Sequence, residues 1–373
     1  MDFFLIYIPA FLVLLTVLVF VHEFGHYWVA RRCGVRVEVF SIGFGPEIFG
    51  WTDKAKTRWK ISAIPLGGYV KMFGEGEYSG GGDSEHAMSA ADEAVSFPHK
   101  TLAQRSAIVF AGPAANYIFA IIVLAILFMS LGQPHTPATV GKVIENSAAA
   151  EAGIQPGDEF IRINGSDVER FRDVQRIVQL RPGVPLDIVV LRDGKEVQMT
   201  ATPKASEAKD ASGNVHKIGL LGVQRSGMEL EKRGPLEAVW EATKESADLT
   251  VDTLTAVGQI ISGKRDLKEL GGPVRIGQLS GDTARHGFIP FISLMALLSI
   301  NLGLINLFPI PMLDGVHLLF SAIEALRGRP LGEKANDIGF RFGLDLVLGL
   351  RLFVTINDLV NLPVFEFVKN LMT

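Results

Sequence analysis

The chain has 373 residues but a single cysteine, Cys33. One thiol cannot form a disulfide within the chain or build a cysteine-rich zinc or iron–sulfur site, so a bound metal would need histidine and carboxylate ligands. Charged residues are also scarce, at 20% of the chain against roughly 25% in soluble domains. The net charge is −4, so no basic field attracts nucleic acid, and we exclude nucleic-acid partners.

The chain has instead long uncharged segments. Residues 3–21, 106–134 and 287–313 carry no charge, and at about 1.5 Å per residue each nearly or fully crosses a hydrocarbon core of about 30 Å. A fourth segment, about 342–365, is interrupted by charged residues, among them Asp345 and Arg351, and a helix lying along the interface is its alternative. A cleaved signal peptide is the alternative for the first segment, which however lacks a basic start and a cleavage site. The pattern predicts a multi-pass α-helical membrane protein with about four transmembrane helices.

The basic residues beside these segments predict the orientation, because short loops rich in Lys and Arg stay in the cytoplasm. Such residues lie after the first segment, before the second, and between the third and fourth. Both termini and residues 135–285 are therefore expected to face outward.

The outward part divides into two predicted regions. Short alternating strands separated by Gly, Pro, Asn and Asp turns, with one helical pattern at 171–180, predict a small α+β domain over 136–204. Residues 205–213 are polar and loop-like, and 235–261 carries apolar residues at helical spacing, so 205–285 is expected to be an amphipathic-helix region. The two halves of the membrane core are then 1–135 and 286–373.

The first uncharged segment ends in His22-Glu23-Phe24-Gly25-His26. Residues four apart on a helix lie about 40° apart around its axis, so both imidazoles can bind one zinc ion while Glu23 acts on water. Ionisable groups at membrane depth are costly, which favours this interpretation. The alternative is that these residues only cap the helix at the headgroup level.

A catalytic zinc ion normally has three protein ligands, so a third is needed. Asp314 is the best candidate, because it follows the third uncharged segment in NLFPIPMLDG, where two prolines break the helix. Its alternative role is an N-cap for the next helix. Asn306 could present its amide to a substrate backbone, or could hydrogen-bond between helices. Four other histidines fall in expected loops or the outward region and are expected at the surface: His86, His99, His135 and His216.

These motifs, in this order, resemble the site-2 protease family: HEFGH, AGPAAN, a GIQPGD module and NLFPIPMLDG. The resemblance implies that His22, His26 and Asp314 hold one zinc ion, that Glu23 is the catalytic base and that Asn306 assists substrate binding. It also implies a PDZ-like outward domain, a loop near the site at 41–46, and a membrane-associated, re-entrant β-hairpin at about 61–73. An edge strand there would offer substrate contacts, at Ile64, Gly67, Gly68, Tyr69 and Val70.

The sequence departs from the family pattern at Val316, where the second glycine after Asp-Gly is expected, and it has room for one PDZ-like domain only. Such modules bind peptide ends by strand addition, but the family resemblance favours gating of access over peptide binding, and a purely packing role is the third alternative.

The resemblance further implies an intramembrane metalloendopeptidase of the bacterial inner membrane, with a periplasmic PDZ-like domain and an active site near the cytoplasmic side. Its expected partners are the lipid bilayer and transmembrane substrates, either an anti-sigma factor in envelope stress signalling or leftover signal peptides. The alternative function is a membrane-anchored PDZ adaptor without proteolytic activity. A zinc transporter is weaker, because further intramembrane acids and histidines are lacking.

Overall fold

The computed structural model describes residues 3–75, 89–135, 137–168, 170–209, 215–227, 229–262, 272–310 and 312–328. Within these residues the helices are α1 (Ile8–Arg32), α2 (Ala90–Glu93), α3 (Leu102–Ser130), α4 (Ala148–Glu151), α5 (Phe171–Gln179), α6 (Pro235–Ile261), α7 (Pro273–Arg285), α8 (Phe288–Asn306) and α9 (Asp314–Arg327). A π-helical segment, Phe3–Tyr7, precedes α1.

The strands are β1 (Val37–Thr52), β2 (Arg58–Met72), β3 (Gln133–His135), β4 (Val140–Val143), β5 (Glu159–Ile163), β6 (Ser166–Asp167), β7 (Leu186–Arg192), β8 (Lys195–Ala201), β9 (Lys204–Lys209), β10 (Val215–Leu220), β11 (Val223–Arg225) and β12 (Glu229–Glu231). The described residues form two compact units, one within Met1–Leu124, Glu241–Leu254 and Lys268–Thr373, the other within Ala125–Trp240 and Thr255–Leu267.

Three described helices are long and apolar enough to cross a membrane: Leu5–Arg32, Leu102–Ser130 and Phe288–Asn306. In the first of these helices, several apolar side chains are exposed on the protein surface, among them Leu5 and Val13, as expected of a helix that contacts lipid. The first three predicted spans correspond to these helices, although the third ends at Asn306 and not at 313. The predicted fourth span, about 342–365, lies outside the described residues.

The first unit is held together by apolar contacts among α1, α3, α8 and the β1–β2 sheet. Leu14 and Leu18 of α1 pack against Leu294 and Met295 of α8. A second cluster joins α1, the sheet and α3, and its buried members are Ala30, Val35, Val37, Phe40, Val70, Met72, Phe97 and Ile108. These contacts fix the C-terminal half of α1, which carries the HExxH motif, against both α3 and the sheet.

The β1–β2 sheet differs from the hairpin expected at 61–73. Residues 39–42 of β1 are paired with 58–61 of β2 on one side and with 68–71 on the other, so the expected hairpin is only part of one long, bent strand. The loop expected at 41–46 is likewise part of β1. Gly43 and Gly45, with φ of 89° and 87°, bend β1 there without ending it. Among the described strands, residues 68–72 therefore have a neighbour on one flank only.

The second unit contains an antiparallel four-stranded sheet in the order β6-β5-β7-β8. Phe160, Ile163, Leu186 and Ile188 are buried in its core together with residues of α5. The helix expected at 171–180 is confirmed as α5. The domain boundary predicted at 204 is wrong, because β11 pairs with β4 and Leu221 belongs to the same core. The segment expected as a polar loop at 205–213 contains most of β9, which pairs with β10.

Candidate metal centre

Helix α1 brings two imidazoles to one face in its C-terminal half. His22 and His26 are four residues apart, and both are buried. Their ring centroids lie 4.8 Å apart with an interplanar angle of 81°. This spacing turns the Nε2 atoms of both rings toward each other, at 3.2 Å.

The third group, Asp314, reaches this pair because the chain turns sharply after α8. A Cβ at Gly315 would lie 2.1 Å from the Phe308 carbonyl oxygen and 2.4 Å from that of Leu307, so only glycine fits this turn. Met312 also adopts a positive φ of 69°. The N-cap position of α9 is occupied by Leu313, so the alternative role of Asp314 as the N-cap is wrong.

The three donor atoms converge on one point. Asp314 Oδ2 lies 3.1 Å from His22 Nε2 and 3.5 Å from His26 Nε2. Two ligands of a tetrahedral zinc ion, at bond lengths of about 2.0–2.1 Å, are about 3.3 Å apart. Asp314 Oδ2 is buried and forms no hydrogen bond of acceptable geometry with either ring. Two imidazole nitrogens and one carboxylate, arranged in this way, fit a zinc ion with one open position.

Asp314 is ionised at neutral pH. Burial raises the pKa of its carboxyl group, but the two neighbouring imidazoles lower it further, and the net pKa is well below the ordinary value. An anionic oxygen beside two nitrogens is a suitable ligand set for a divalent cation.

Helix α3 supplies the surroundings of the two imidazoles. The carbonyl oxygen of Ile108 accepts a hydrogen bond from His26 Nδ1 at 2.9 Å. A Cβ at Gly112 would lie 2.2 Å from His26 Nε2 and 2.9 Å from His22 Cε1. The side-chain amide of Asn116 lies 3.1 Å from His22 Nδ1. These three residues, spaced by four along α3, form what we call the imidazole-facing stripe.

Glu23 lies between the cluster and the sheet. Its carboxylate accepts a hydrogen bond from the backbone N–H of Val70 and interacts electrostatically with His22, His26 and Asp314. A Cβ at Gly68 would lie 3.1 Å from Val19 Cγ1 and 3.6 Å from Glu23 Cγ, both on α1, and 2.7 Å from the Ser41 carbonyl oxygen on β1. Glycine at 68 therefore allows β2 to approach α1 closely at the motif.

The other residues predicted to contact substrate are placed as follows. Ile64 is 49% exposed, and Tyr69 stacks on Phe44 with ring centroids 6.0 Å apart. Gly67 has a φ of 114° and lies under the same Phe44 ring. Asn306 is the last residue of α8 and is half-buried, and its role in substrate binding stays a prediction.

The sequence reasoning gave no role to the imidazole-facing stripe. The AGPAAN motif supported the family resemblance, but its contact with the histidines depends on how α3 packs against α1. The available signal was the spacing of Gly112 and Asn116, four apart in an otherwise apolar helix.

Comparison with known sequences decides the family. The profile of Peptidase family M50 matches residues 10–350. The chain belongs to this family. The resemblance to site-2 proteases is thereby confirmed, and this M50 peptidase is a zinc metalloprotease, as its similar relatives are named.

One relative of this M50 peptidase, from Agrobacterium fabrum, carries the name of a zinc metalloprotease and is 46% identical over 362 residues, which cover 95% of this chain and 96% of the relative. The metalloprotease MmpA of Caulobacter vibrioides is 38% identical, with 99% of each chain covered.

Two solved structures match parts of this M50 peptidase. The HtrA-type protease AlgW with a decapeptide is 34% identical over 17% of this chain and 20% of its own, with a TM-score of 0.16. The PDZ domain of the SdrC-like protein from Listeria innocua is 16% identical over 26% of this chain and 99% of its own, with a TM-score of 0.20.

Proposed function

We propose that this zinc metalloprotease hydrolyses peptide bonds within or beside the transmembrane segments of other membrane proteins. In this proposal His22, His26 and Asp314 hold the zinc ion and Glu23 is the catalytic base. The observation that carries the proposal is the position of Glu23. It lies on a helix apolar enough to cross a membrane, between the three donor groups and residues 68–72 at the edge of the described β1–β2 sheet.

Zinc, when bound, supplies a Lewis acid that polarises the scissile carbonyl group and makes water more acidic. Glu23 takes a proton from the attacking water molecule and passes it to the leaving amine nitrogen. The hydrogen bond that the Glu23 carboxylate accepts from the Val70 N–H keeps the carboxylate at the edge of β2. The base and the strand that would hold a substrate are therefore fixed relative to each other.

The substrate backbone must be extended before it can be cut, because a helix hides its carbonyl groups in internal hydrogen bonds. Strand 68–72 has β1 on one flank only, so part of its other edge can pair with an unwound substrate segment. Two donors of that edge are already occupied, the Val70 N–H by Glu23 and the Met72 N–H by Glu75 Oε2 at 3.0 Å, so a substrate would pair with the remaining positions. The remaining predicted contacts, Ile64, Gly67 and Tyr69, continue along the same strand, and Asn306 is a further candidate from α8.

The expected cellular role is regulated intramembrane proteolysis in the bacterial inner membrane, with the second unit in the periplasm. Release of an anti-sigma factor in envelope stress signalling, or clearance of leftover signal peptides, fits a protease that cuts membrane segments. These assignments rest on the family resemblance and on the basic residues flanking the membrane segments. The M50 membership favours this function over a PDZ adaptor without activity.

The test compares the wild-type protein with Glu23→Gln and with the control Glu93→Gln, which changes an exposed acid in α2. Each protein is placed in liposomes with a tagged single-span substrate, and bound zinc is measured on the same samples. We expect Glu23→Gln to keep zinc but to lose at least about 1,000-fold in cleavage rate, because the base is removed, while Glu93→Gln cleaves normally.

A second comparison uses two versions of the substrate segment, one with Gly and Pro near its middle and one with Leu and Ala. We expect the first to be cut faster, because its helix unwinds at lower cost. Cleavage by Glu23→Gln at the wild-type rate would disprove the assignment of the base. Equal cleavage of both segments would disprove the need for unwinding.

A further inference from the structure

The two imidazoles of the HExxH motif have different hydrogen-bond partners at Nδ1, the ring nitrogen that faces away from the cluster. His26 Nδ1 faces the Ile108 carbonyl oxygen, which can only accept a hydrogen bond. His26 therefore carries a proton on Nδ1, and Nε2 is the ring nitrogen that faces the cluster. His22 Nδ1 faces the side-chain amide of Asn116, and an amide can either donate or accept.

Asn116 is fully buried, and its Oδ1 atom makes no hydrogen bond with any residue that the structure describes. Its backbone carbonyl oxygen accepts a hydrogen bond from Ser299 Oγ at 2.9 Å, which fixes this part of α3 against α8. A buried amide oxygen without a donor costs about 1–3 kcal/mol. A half-turn of the amide exchanges the positions of its oxygen and nitrogen and places the oxygen opposite His22 Nδ1, where it can accept a hydrogen bond from the Nδ1–H.

A histidine that binds a metal through Nε2 nearly always donates its Nδ1–H to an oxygen, which fixes the ring orientation and the tautomer. Among the described residues, the groups that face the Nδ1 atoms of the two rings are the Ile108 carbonyl and the Asn116 amide, both on α3. We propose that Asn116 is a positioning residue whose amide oxygen holds His22 in the tautomer that binds zinc. The proposal rests on the zinc site described under the proposed function.

The test measures zinc affinity by chelator competition on the full-length protein in detergent. Asn116→Leu removes both polar atoms at similar volume, whereas Asn116→Asp keeps an acceptor opposite His22. Ser299→Ala is the matched control, because it removes the other hydrogen bond at this position and leaves the amide in place. Cobalt(II) absorption spectra report the ligand geometry independently of activity.

We expect Asn116→Leu to weaken zinc binding about 10- to 100-fold, the usual loss when the partner of a ligating histidine is removed, and to alter the cobalt bands. Asn116→Asp is expected to keep the affinity within about threefold of the wild type, as is Ser299→Ala. Thermal unfolding of the metal-free proteins establishes that each variant folds. If Asn116 had a purely structural role, Asn116→Leu and Asn116→Asp would weaken zinc binding to the same extent.

The proposal is overturned if Asn116→Leu binds zinc as the wild type does, or if a folded Asn116→Asp binds it as weakly as Asn116→Leu. His26→Ala separates this outcome from failure of the site itself. If His26→Ala loses zinc while Asn116→Leu keeps it, only the role of Asn116 is wrong. If His26→Ala keeps zinc, the proposed ligand set is wrong.

Discussion

Replacing Gly112 with alanine tests how closely α3 packs against the proposed zinc ligands. The added Cβ would lie 2.2 Å from His26 Nε2, 2.5 Å from its Cε1 and 2.9 Å from His22 Cε1. Ordinary non-bonded contacts are about 3.5 Å, so the His26 ring or α3 must move by about 1.3 Å. Zinc sites tolerate ligand displacements of about 0.2 Å. The substitution should therefore remove His26 from the ligand set.

Loss of a hydrogen-bond partner behind a ligand already weakens metal binding about 10- to 100-fold. Displacement of a ligand should cost at least the upper value, which is about 2.8 kcal/mol of binding free energy. Overpacking should also lower the free energy of unfolding by about 1–3 kcal/mol. Zinc affinity from chelator competition, and unfolding of the metal-free protein, measure the two effects separately.

The matched control is Gly258→Ala. Gly258 lies in α6, and nothing is within 4 Å of a Cβ built there, so the variant should bind zinc normally. If Gly112→Ala binds zinc as tightly as Gly258→Ala, the packing of α3 against the two imidazoles is not as described. The reasoning from the donor-atom distances would then fail as well.

Three further predictions concern the strand beside Glu23, the second unit and the metal. Gly68→Ala should lower kcat about tenfold or more with zinc content unchanged. Its Cβ would lie 2.7 Å from the Ser41 carbonyl oxygen on β1 and 3.1 Å from Val19 Cγ1 on α1, so residue 68 would be displaced from both by several tenths of an ångström; parallel loss of zinc would contradict this. In the second unit, burial raises the pKa of Asp158, but hydrogen bonds from Arg192 and the Gln155 N–H lower it further, to below its ordinary value. Its contribution to stability is therefore present above about pH 3.9 and is lost as the pH falls through the lower folded-state pKa. Asp158→Asn should destabilise the protein by about 2–3 kcal/mol at pH 7 and reduce the acid dependence in thermal melts, and an unchanged melting profile would contradict it. Removing zinc with a chelator should lower Tm, because zinc at 100 times its Kd contributes about 2.7 kcal/mol; a His26→Ala protein whose Tm still responded to zinc would refute the ligand assignment.

Local patterns in the sequence predicted much of the second unit. The strands expected in TVGKVI, EFIRING, LDIVVLRDG and EVQMTAT correspond to β4, β5, β7 and β8. The end of the unit was missed because β9, with the sequence KASEAK, has no apolar alternation. Its partner β10 and the pairing of β11 with β4 are long-range contacts, which no local pattern records.

In the first unit, the spacing of His22 and His26 predicted a shared face, and the broken helix before Asp314 predicted a third group nearby. The structure brings these three together. The extent of β1 was missed because Gly43, Gly45 and Pro46 are typical of a loop, whereas here bulges let the pairing continue around them. The need for glycine at 112 follows from the distance between two helices, which the sequence does not contain.

Because of the imidazole-facing stripe, the spacing of residues along α3 must match the spacing of the two histidines on α1. The stripe contacts the imidazoles at every fourth residue of α3, through the carbonyl oxygen of Ile108, the side-chain-free Gly112 and the amide of Asn116. The two histidines on α1 are also four residues apart. Inserting or deleting one residue among these positions would rotate the remainder of the helix by about 100° and misalign the contacts beyond it in one step. Length changes in this stretch should therefore be far less tolerated than changes of apolar side chain on its lipid-facing side.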